Sequence, residues 1–261
     1  MSFTLRQGRA PLLISFPHSG TAVPSEVSAR FTPTAQALPD TDWHVPALYD
    51  MADDLGAWTL EAHYSRYVID VNRDPAGTSL YPGQSTTTLC PLDTFAGDPI
   101  YAHNPPDADD IAHRKASVFE PYHHALASTL DRIRETHGFA LLWDAHSIRS
   151  VVPRFFEGSL PALNLGTANG ASCHPLLSGA VAEVLAASDF DSVVNGRFVG
   201  GYITRHYGRP DDRIHAVQME IAQSAYMDES GSLALQPLKQ RALSAVLARA
   251  LDAYLREAKK I

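Results

Sequence analysis

The chain reads as an α/β protein: a single domain over residues 1–261, built on a mixed, largely parallel sheet with helices on both faces. Three observations predict this. Residues 11–16 (PLLISF), 139–143 (FALLW) and 216–221 (AVQMEI) are short apolar runs of the kind that form strands buried on both faces. Helical stretches lie between and after those runs. No internal repeat, low-complexity tract or linker divides the 261 residues.

Taken in order, residues 11–16 form the first predicted strand. Residues 42–55 have helical periodicity, through Trp43, Pro46, Ala47, Leu48 and Met51. Residues 59–63 and 67–71 read as strands. Residues 110–137 read as a long helix or a helix pair. Pro121 marks the break, because proline fits the first turn of a second helix. Gly138 is a natural helix stop before the strand at 139–143. Residues 147–174 are rich in Gly and Pro and irregular, and a loop of that length in a compact domain is usually functional. Residues 175–187 form a helix, 216–221 a strand, and 233–259 a closing amphipathic helix that reads as a packing layer rather than an interface.

Composition removes several classes of function. Lys+Arg number 21 against 29 Asp+Glu, a net charge of −8, and no basic tract appears, which argues against nucleic-acid binding. A hydrophobic content of 45% and charged content of 19% exclude disorder. The two cysteines, Cys90 and Cys173, provide no disulfide framework and read as free thiols in a reducing compartment. The N-terminal residues lack an apolar signal core, and no apolar run approaches a membrane span. The expectation is a soluble cytoplasmic protein without a membrane partner. Twelve histidines stand out.

In open, largely parallel sheets, ligands bind beyond the carboxyl ends of the strands. Polar residues follow or close three of the predicted strands: Pro17-His18-Ser19-Gly20, Asp144-Ala145-His146-Ser147 and Glu220. Parallel strands would bring His18, His146 and Glu220 to one edge. Two histidines and a carboxylate hold a catalytic metal with a position left for water, and a further carboxylate serves as base. The competing reading makes each histidine a hydrogen-bonded loop residue and Asp144 its orienting partner. An acid within an apolar strand, as at Glu220, is costly without a partner or a role. For the acidic ligand, Asp40 and Asp42 are both candidates, although a helix N-cap would account for one of them. Asn72-Arg73 supplies a guanidinium suited to a carboxylate, or an ordinary ion pair. The segment 195–208 (NGRFVGGYITRHYG) lets backbone approach a ligand, or forms a glycine-rich hairpin. A Gly-x-Ser-x-Gly elbow is absent, which disfavours a serine nucleophile.

Segments running in order through most of the chain resemble the N-formylglutamate amidohydrolase family. They are SFPHSG (15–20), LPDTDWHVPALYD (38–50), RYVIDVNRDPAG (66–77), SLYPGQ (79–84), LCPLDTFAGDPIY (89–101), DAHSIRSVVPRFFEG (144–158), LPALNLGTANGASC (160–173), NGRFVGGYITRHYG (195–208) and HAVQMEIAQSAYM (215–227). The resemblance implies a fold like that of zinc carboxypeptidases and aspartoacylase. It implies hydrolysis of N-formyl-L-glutamate, a small anionic substrate, to formate and L-glutamate in histidine degradation. His18 matches the first metal ligand, His146 the second, Asn72-Arg73 the substrate pair, Glu220 the general base and Arg66 the further arginine. Where zinc carboxypeptidases and aspartoacylase carry a glutamate closely after the first histidine, this chain has Thr21, three residues after His18. Asp42 is taken as the third ligand, with Asp40 behind it.

The implied cofactor is a divalent metal: Zn²⁺, with Co²⁺ or Mn²⁺ accepted by the same ligands. Arg66 or Arg73 would stabilise the oxyanion. Arg73, Arg197 and Arg205 would bind substrate carboxylates, with Arg149 and Arg154 in reserve. His44, His206 and His215 stand as further pocket candidates. The alternatives are a deacylase of another N-acyl acidic amino acid, a non-haem iron oxygenase on its usual all-β scaffold, and a non-catalytic binding protein.

Overall fold

The computed structural model describes residues 1–77 and 87–261; the segment SLYPGQ (79–84) lies outside them. Seven strands form one sheet: β1 (Phe3–Arg6), β2 (Leu12–Phe16), β3 (Trp58–Ala62), β4 (Ala140–Ile148), β5 (Leu163–Gly166), β6 (Ser192–Val194) and β7 (Ile214–Ala222). Their spatial order is β1-β3-β2-β4-β7-β5-β6. The central pairs β3/β2, β2/β4 and β4/β7 are parallel, as is β5/β6. The pairs β1/β3 and β5/β7 are antiparallel. This is the mixed, largely parallel α/β sheet expected, and not the all-β scaffold of the oxygenase alternative.

The helices are α1 (Ser25–Ser28), α2 (Pro33–Gln36), α3 (Ala108–Arg114), α4 (Glu120–His137), α5 (Pro175–Ala186), α6 (Tyr202–Tyr207) and α7 (Pro237–Ala258). Pro121 lies in the first turn of α4, after a π-helical turn at Lys115–Phe119. Gly138 closes α4 at φ 81°, a left-handed backbone that costs glycine little.

Strand alternation divides the core in two. Leu141, Trp143 and Ala145 of β4, with Val217, Met219 and Ile221 of β7, pack beneath α5 and α7. On the opposite face, Ala140 and Leu142 of β4, with Ile214 and Ala216 of β7, pack against Tyr122, Leu126, Leu130 and Ile133 of α4. The same alternation carries Asp144 and His146, and Gln218 and Glu220, onto the α4 face. That face is thus apolar at the amino ends of β4 and β7 and polar at their carboxyl ends.

Several sequence expectations are corrected. Residues 67–71 are buried but not a strand; Val68 N–H bonds Ser65 O and Asp70 N–H bonds Leu89 O, so turn and loop carbonyls replace a sheet neighbour. Residues 42–55 hold two short 3₁₀ turns, Val45–Leu48 and Asp50–Ala52, because Tyr49 between them (φ −111°, ψ 39°) leaves the helical region. The irregular stretch 147–174 contains β5. The glycine-rich segment 195–208 ends in α6 rather than forming a hairpin. The closing helix begins at Pro237, not at residue 233. Short edge strands β1 and β6 were not expected. Among the described residues, no helix is long and apolar enough to cross a membrane.

Candidate metal centre and active site

Registers place the site. On the paired strands β4 and β7, Asp144 stands opposite Gln218 and His146 opposite Glu220, a two-by-two block on one face. His18 follows the carboxyl end of β2, the other neighbour of β4. Asp42 comes from the loop before the 3₁₀ turns, where its backbone N–H donates to His18 O at 3.1 Å. His18, Asp42 and His146 are all buried, and one ligand atom from each lies within 4.8 Å of the others.

The donor geometry fits a small divalent cation. His18 Nδ1 lies 3.1 Å from His146 Nδ1, and Asp42 Oδ2 lies 3.1 Å from His146 Nδ1 and 3.8 Å from His18 Nδ1. A tetrahedral cation with bonds of about 2.0–2.1 Å needs donors about 3.3–3.4 Å apart. Each imidazole is braced from behind. His18 Nε2 donates to Asp70 Oδ1 at 2.7 Å, and His146 Nε2 lies 3.0 Å from both Asp144 Oδ2 and Asn72 Nδ2. Those carboxylates leave both Nδ1 atoms for the centre, the usual arrangement behind metal-bound histidines. Arg66 Nη2 donates to Asp42 Oδ1 at 2.6 Å, and Ser147 N–H to Oδ2 at 3.0 Å, which turns Oδ2 toward the histidines.

Charge points the same way. Asp42, Asp70, Asp144 and Glu220 are four buried carboxylates facing the buried guanidinium of Arg66 and the half-buried Arg73. A dication at the histidine–aspartate triangle offsets that excess. Burial pushes His18 down to about 4, with Arg66 adding to the effect, so its ring is neutral at neutral pH. Burial would raise Asp42, but Arg66 and both histidines outweigh it and hold the carboxyl below its ordinary range. Burial would lower His146, but Asp144 and Asp42 hold it well above the usual histidine value. Burial raises Glu220 to about 7, against the pull of His146 and with Asp42 adding to the rise.

Asp40 stands apart from this centre. Its Oδ2 accepts Tyr67 OH at 2.5 Å and Phe95 N–H at 2.8 Å. Neither Asp40 nor Asp42 is a helix cap.

The cavity beside the triangle is lined by His18, Arg66, Asn72, Arg73, His146, Gln218 and Glu220, with Phe95, Phe155, Arg197 and Phe198 among its other walls. Asn72 is anchored by its own N–H to Asp70 Oδ1 (2.8 Å) and by Ile203 N–H, at the start of α6, to its Oδ1 (2.8 Å). Arg197 donates from Nε to Phe155 O at 2.6 Å. Arg205 does not line the cavity; its Nε donates to Gly200 O at 2.8 Å. Arg149 bonds Glu229 O, and Arg154 bonds Thr94 O, both away from the lining. His44, His206 and His215 also lie off the cavity wall, correcting their candidacy. His44 Nε2 donates to Leu233 O.

Sequence reading overlooked Asp70 and Gln218. Asp70 lies two residues before the quoted Asn72-Arg73 pair, and Gln218 two before Glu220 on the same strand face, a spacing that could have drawn attention to both.

Residues 10–227 match the family model described as N-formylglutamate amidohydrolase. The chain belongs to the N-formylglutamate amidohydrolase family. It is 48% identical over 254 residues to an N-formylglutamate deformylase of Pseudomonas aeruginosa, across 97% of this chain and 95% of that protein. It is 47% identical to an N-formylglutamate deformylase of Pseudomonas putida over the same shares of the two chains. The crystal structure of an N-formylglutamate amidohydrolase from Ralstonia eutropha JMP134 superposes with a TM-score of 0.81 at 26% identity, over 98% of each chain. In this member of the family, the buried His-Asp-His triangle can hold a metal ion beside an arginine-lined cavity.

Proposed function

We propose that the protein hydrolyses N-formyl-L-glutamate to formate and L-glutamate, with Glu220 as general base and a divalent cation at His18, Asp42 and His146. The observation that carries this reading is the buried triangle beside Glu220 in a cavity walled by Arg66, Arg73 and Arg197. The 48% and 47% identity to two N-formylglutamate deformylases supports the choice of substrate. Zn²⁺ suits the two imidazoles and one carboxylate best, and Co²⁺ or Mn²⁺ fit the same donors. The domain is taken as residues 1–261, because the site draws on positions 18 to 220, and its place as the cytoplasm.

When bound, the cation polarises the formyl oxygen and lowers the pKa of a water to about 7. Glu220 takes the proton of the attacking water and delivers it to the leaving nitrogen as the C–N bond breaks. Arg66 spends Nη2 on Asp42, while among the described residues its buried Nε has no hydrogen-bond partner, and Arg66 lines the cavity. An orphaned buried donor is costly, and a developing oxyanion would satisfy it. Arg73, beside Asn72, and Arg197 are assigned to the two substrate carboxylates. Arg205, bonded to Gly200 O, is assigned to bracing that loop. An arginine-walled cavity attracts a dianion locally even on a chain of net charge −8.

The deciding experiment combines metal stoichiometry with formate release. One divalent ion per chain and formate release from N-formyl-L-glutamate are expected. Faster cleavage of N-acetyl- or N-succinyl-glutamate would move the assignment to another N-acyl acidic amino acid.

Two further outcomes follow from the same geometry. Asp70→Asn weakens the acceptor behind His18 and is expected to reduce metal affinity by about 10–100-fold in a chelator competition titration; unchanged affinity would remove Asp70 from that role. The second concerns pH. A carboxyl raised by burial keeps its proton to higher pH, so its basic form is lost as pH falls. The value for Glu220 is about 7 without a cation, against 4.5 ordinarily. A cation nearby favours the carboxylate and draws the transition down within that window. The profile of kcat/KM is therefore expected to fall toward acid between those values. A flat profile across the window would contradict the base assignment.

A further inference from the structure

Gln218 is buried, lines the cavity, and has no part in the chemistry described so far. It precedes Glu220 by two residues on β7, so both side chains share a face. Its Oε1 accepts Gly201 N–H at 2.6 Å, and its Nε2 donates to Glu220 Oε2 at 3.0 Å. The first bond dictates the second. A carboxamide has one acceptor end and one donor end. With Oε1 committed to a backbone N–H, only the amide N–H can meet Glu220. The amide cannot flip without setting two donors against each other at Gly201 and two acceptors at Glu220. Among the described residues, Glu220 Oε1 has no hydrogen-bond partner.

Gly201 extends the connection. A Cβ there would lie 2.4 Å from Asn72 Nδ2, so glycine is needed for this backbone to pass so close to Asn72. Two residues later, Ile203 N–H holds Asn72 Oδ1 at 2.8 Å. One turn of backbone therefore grips Gln218 on one side and Asn72 on the other.

We propose that Gln218 is a positioning residue, anchored by Gly201 N–H, which holds Glu220 by Oε2 so that Oε1 receives the proton of the attacking water. This rests on the reading of Glu220 as base. It predicts that Gln218 acts on turnover through Glu220 and not through substrate or metal binding.

The test is a double-mutant cycle on the metal-loaded enzyme with N-formyl-L-glutamate, read by formate release. Gln218→Met keeps the side-chain length and removes both hydrogen bonds. It is expected to lower kcat by about tenfold or more, the order for one hydrogen bond to a charged group. KM and metal content should change by less than about twofold. In a Glu220→Gln background, the same substitution should change kcat by less than about twofold, since residues that act as a unit are non-additive. Gln218→Glu sets a carboxyl against Glu220 in the same shape and should lower kcat at least as far; it carries the cycle if the methionine variant fails to fold. Equal fold-losses in both backgrounds, or a rise in KM alone, would overturn the proposal. Near-normal turnover of Glu220→Gln by itself would instead refute the base reading, and the positioning role with it.

Discussion

Glu220→Gln is expected to lose turnover on N-formyl-L-glutamate by about 10²–10⁴-fold, the range that a positioned general base contributes. Glutamine preserves the shape of the side chain and removes the site that accepts the proton. Metal content should not change, because the triangle is His18 Nδ1, Asp42 Oδ2 and His146 Nδ1, with Glu220 outside it. KM should also hold, because the cationic wall of Arg73 and Arg197 is untouched. Metal analysis beside steady-state kinetics checks both halves. Near-normal turnover with full metal would take Glu220 out of the base role. Loss of metal together with activity would make it a ligand instead. Stability should rise slightly if anything, because a neutral amide replaces a carboxyl whose charged form burial penalises.

Asp42→Asn and Asp40→Asn are expected to separate sharply. The Asp42 carboxylate belongs to the triangle and pairs with the buried Arg66 at 2.6 Å. An amide removes the one negative charge in the donor set, and metal content should fall below stoichiometric. Turnover should drop by about 10³-fold or more, since a cation supplies several kcal/mol of transition-state charge stabilisation. The variant should also be less stable, because breaking a buried ion pair from one side costs about 3–5 kcal/mol at full burial. Among the described residues, the Asp40 carboxylate accepts only Tyr67 OH and the Phe95 amide, so Asp40→Asn leaves the triangle untouched. It should retain metal and most turnover while its melting temperature falls. Metal analysis and thermal denaturation of the two variants check this. Metal loss in Asp40→Asn with retention in Asp42→Asn would exchange the two acids.

The long-range pairing behind these two predictions also explains how far residue patterns reach. The signal in β4 and β7 is local: the apolar runs 139–143 and 216–221 demand burial on both faces whatever surrounds them. Those runs, with the one at β2 and parallel pairing, bring His18, His146 and Glu220 to one sheet edge. The α4 and α5 helices were equally plain, because their apolar faces recur at helical spacing. Residues 67–71 have strand-like composition but no strand beside them, and periodicity carries no record of a missing neighbour.

The choice between Asp42 and Asp40 could not come from local pattern. Both sit in one polar turn, and both suit an N-cap. Folding separates them: Asp42 meets His146, 104 positions away, while Asp40 meets Phe95, 55 positions away. The same holds for Asp70 behind His18, for Gln218 between Gly201 and Glu220, and for Arg205, which the fold turns to Gly200 O and off the cavity wall. Residue types and apolar runs therefore specify an α/β sheet with two histidines and an acid at its carboxyl edge, because the demand for burial acts along the chain. The third corner of the triangle, the braces and the cavity wall exist only in the folded molecule, because each depends on contacts between segments that the chain keeps far apart.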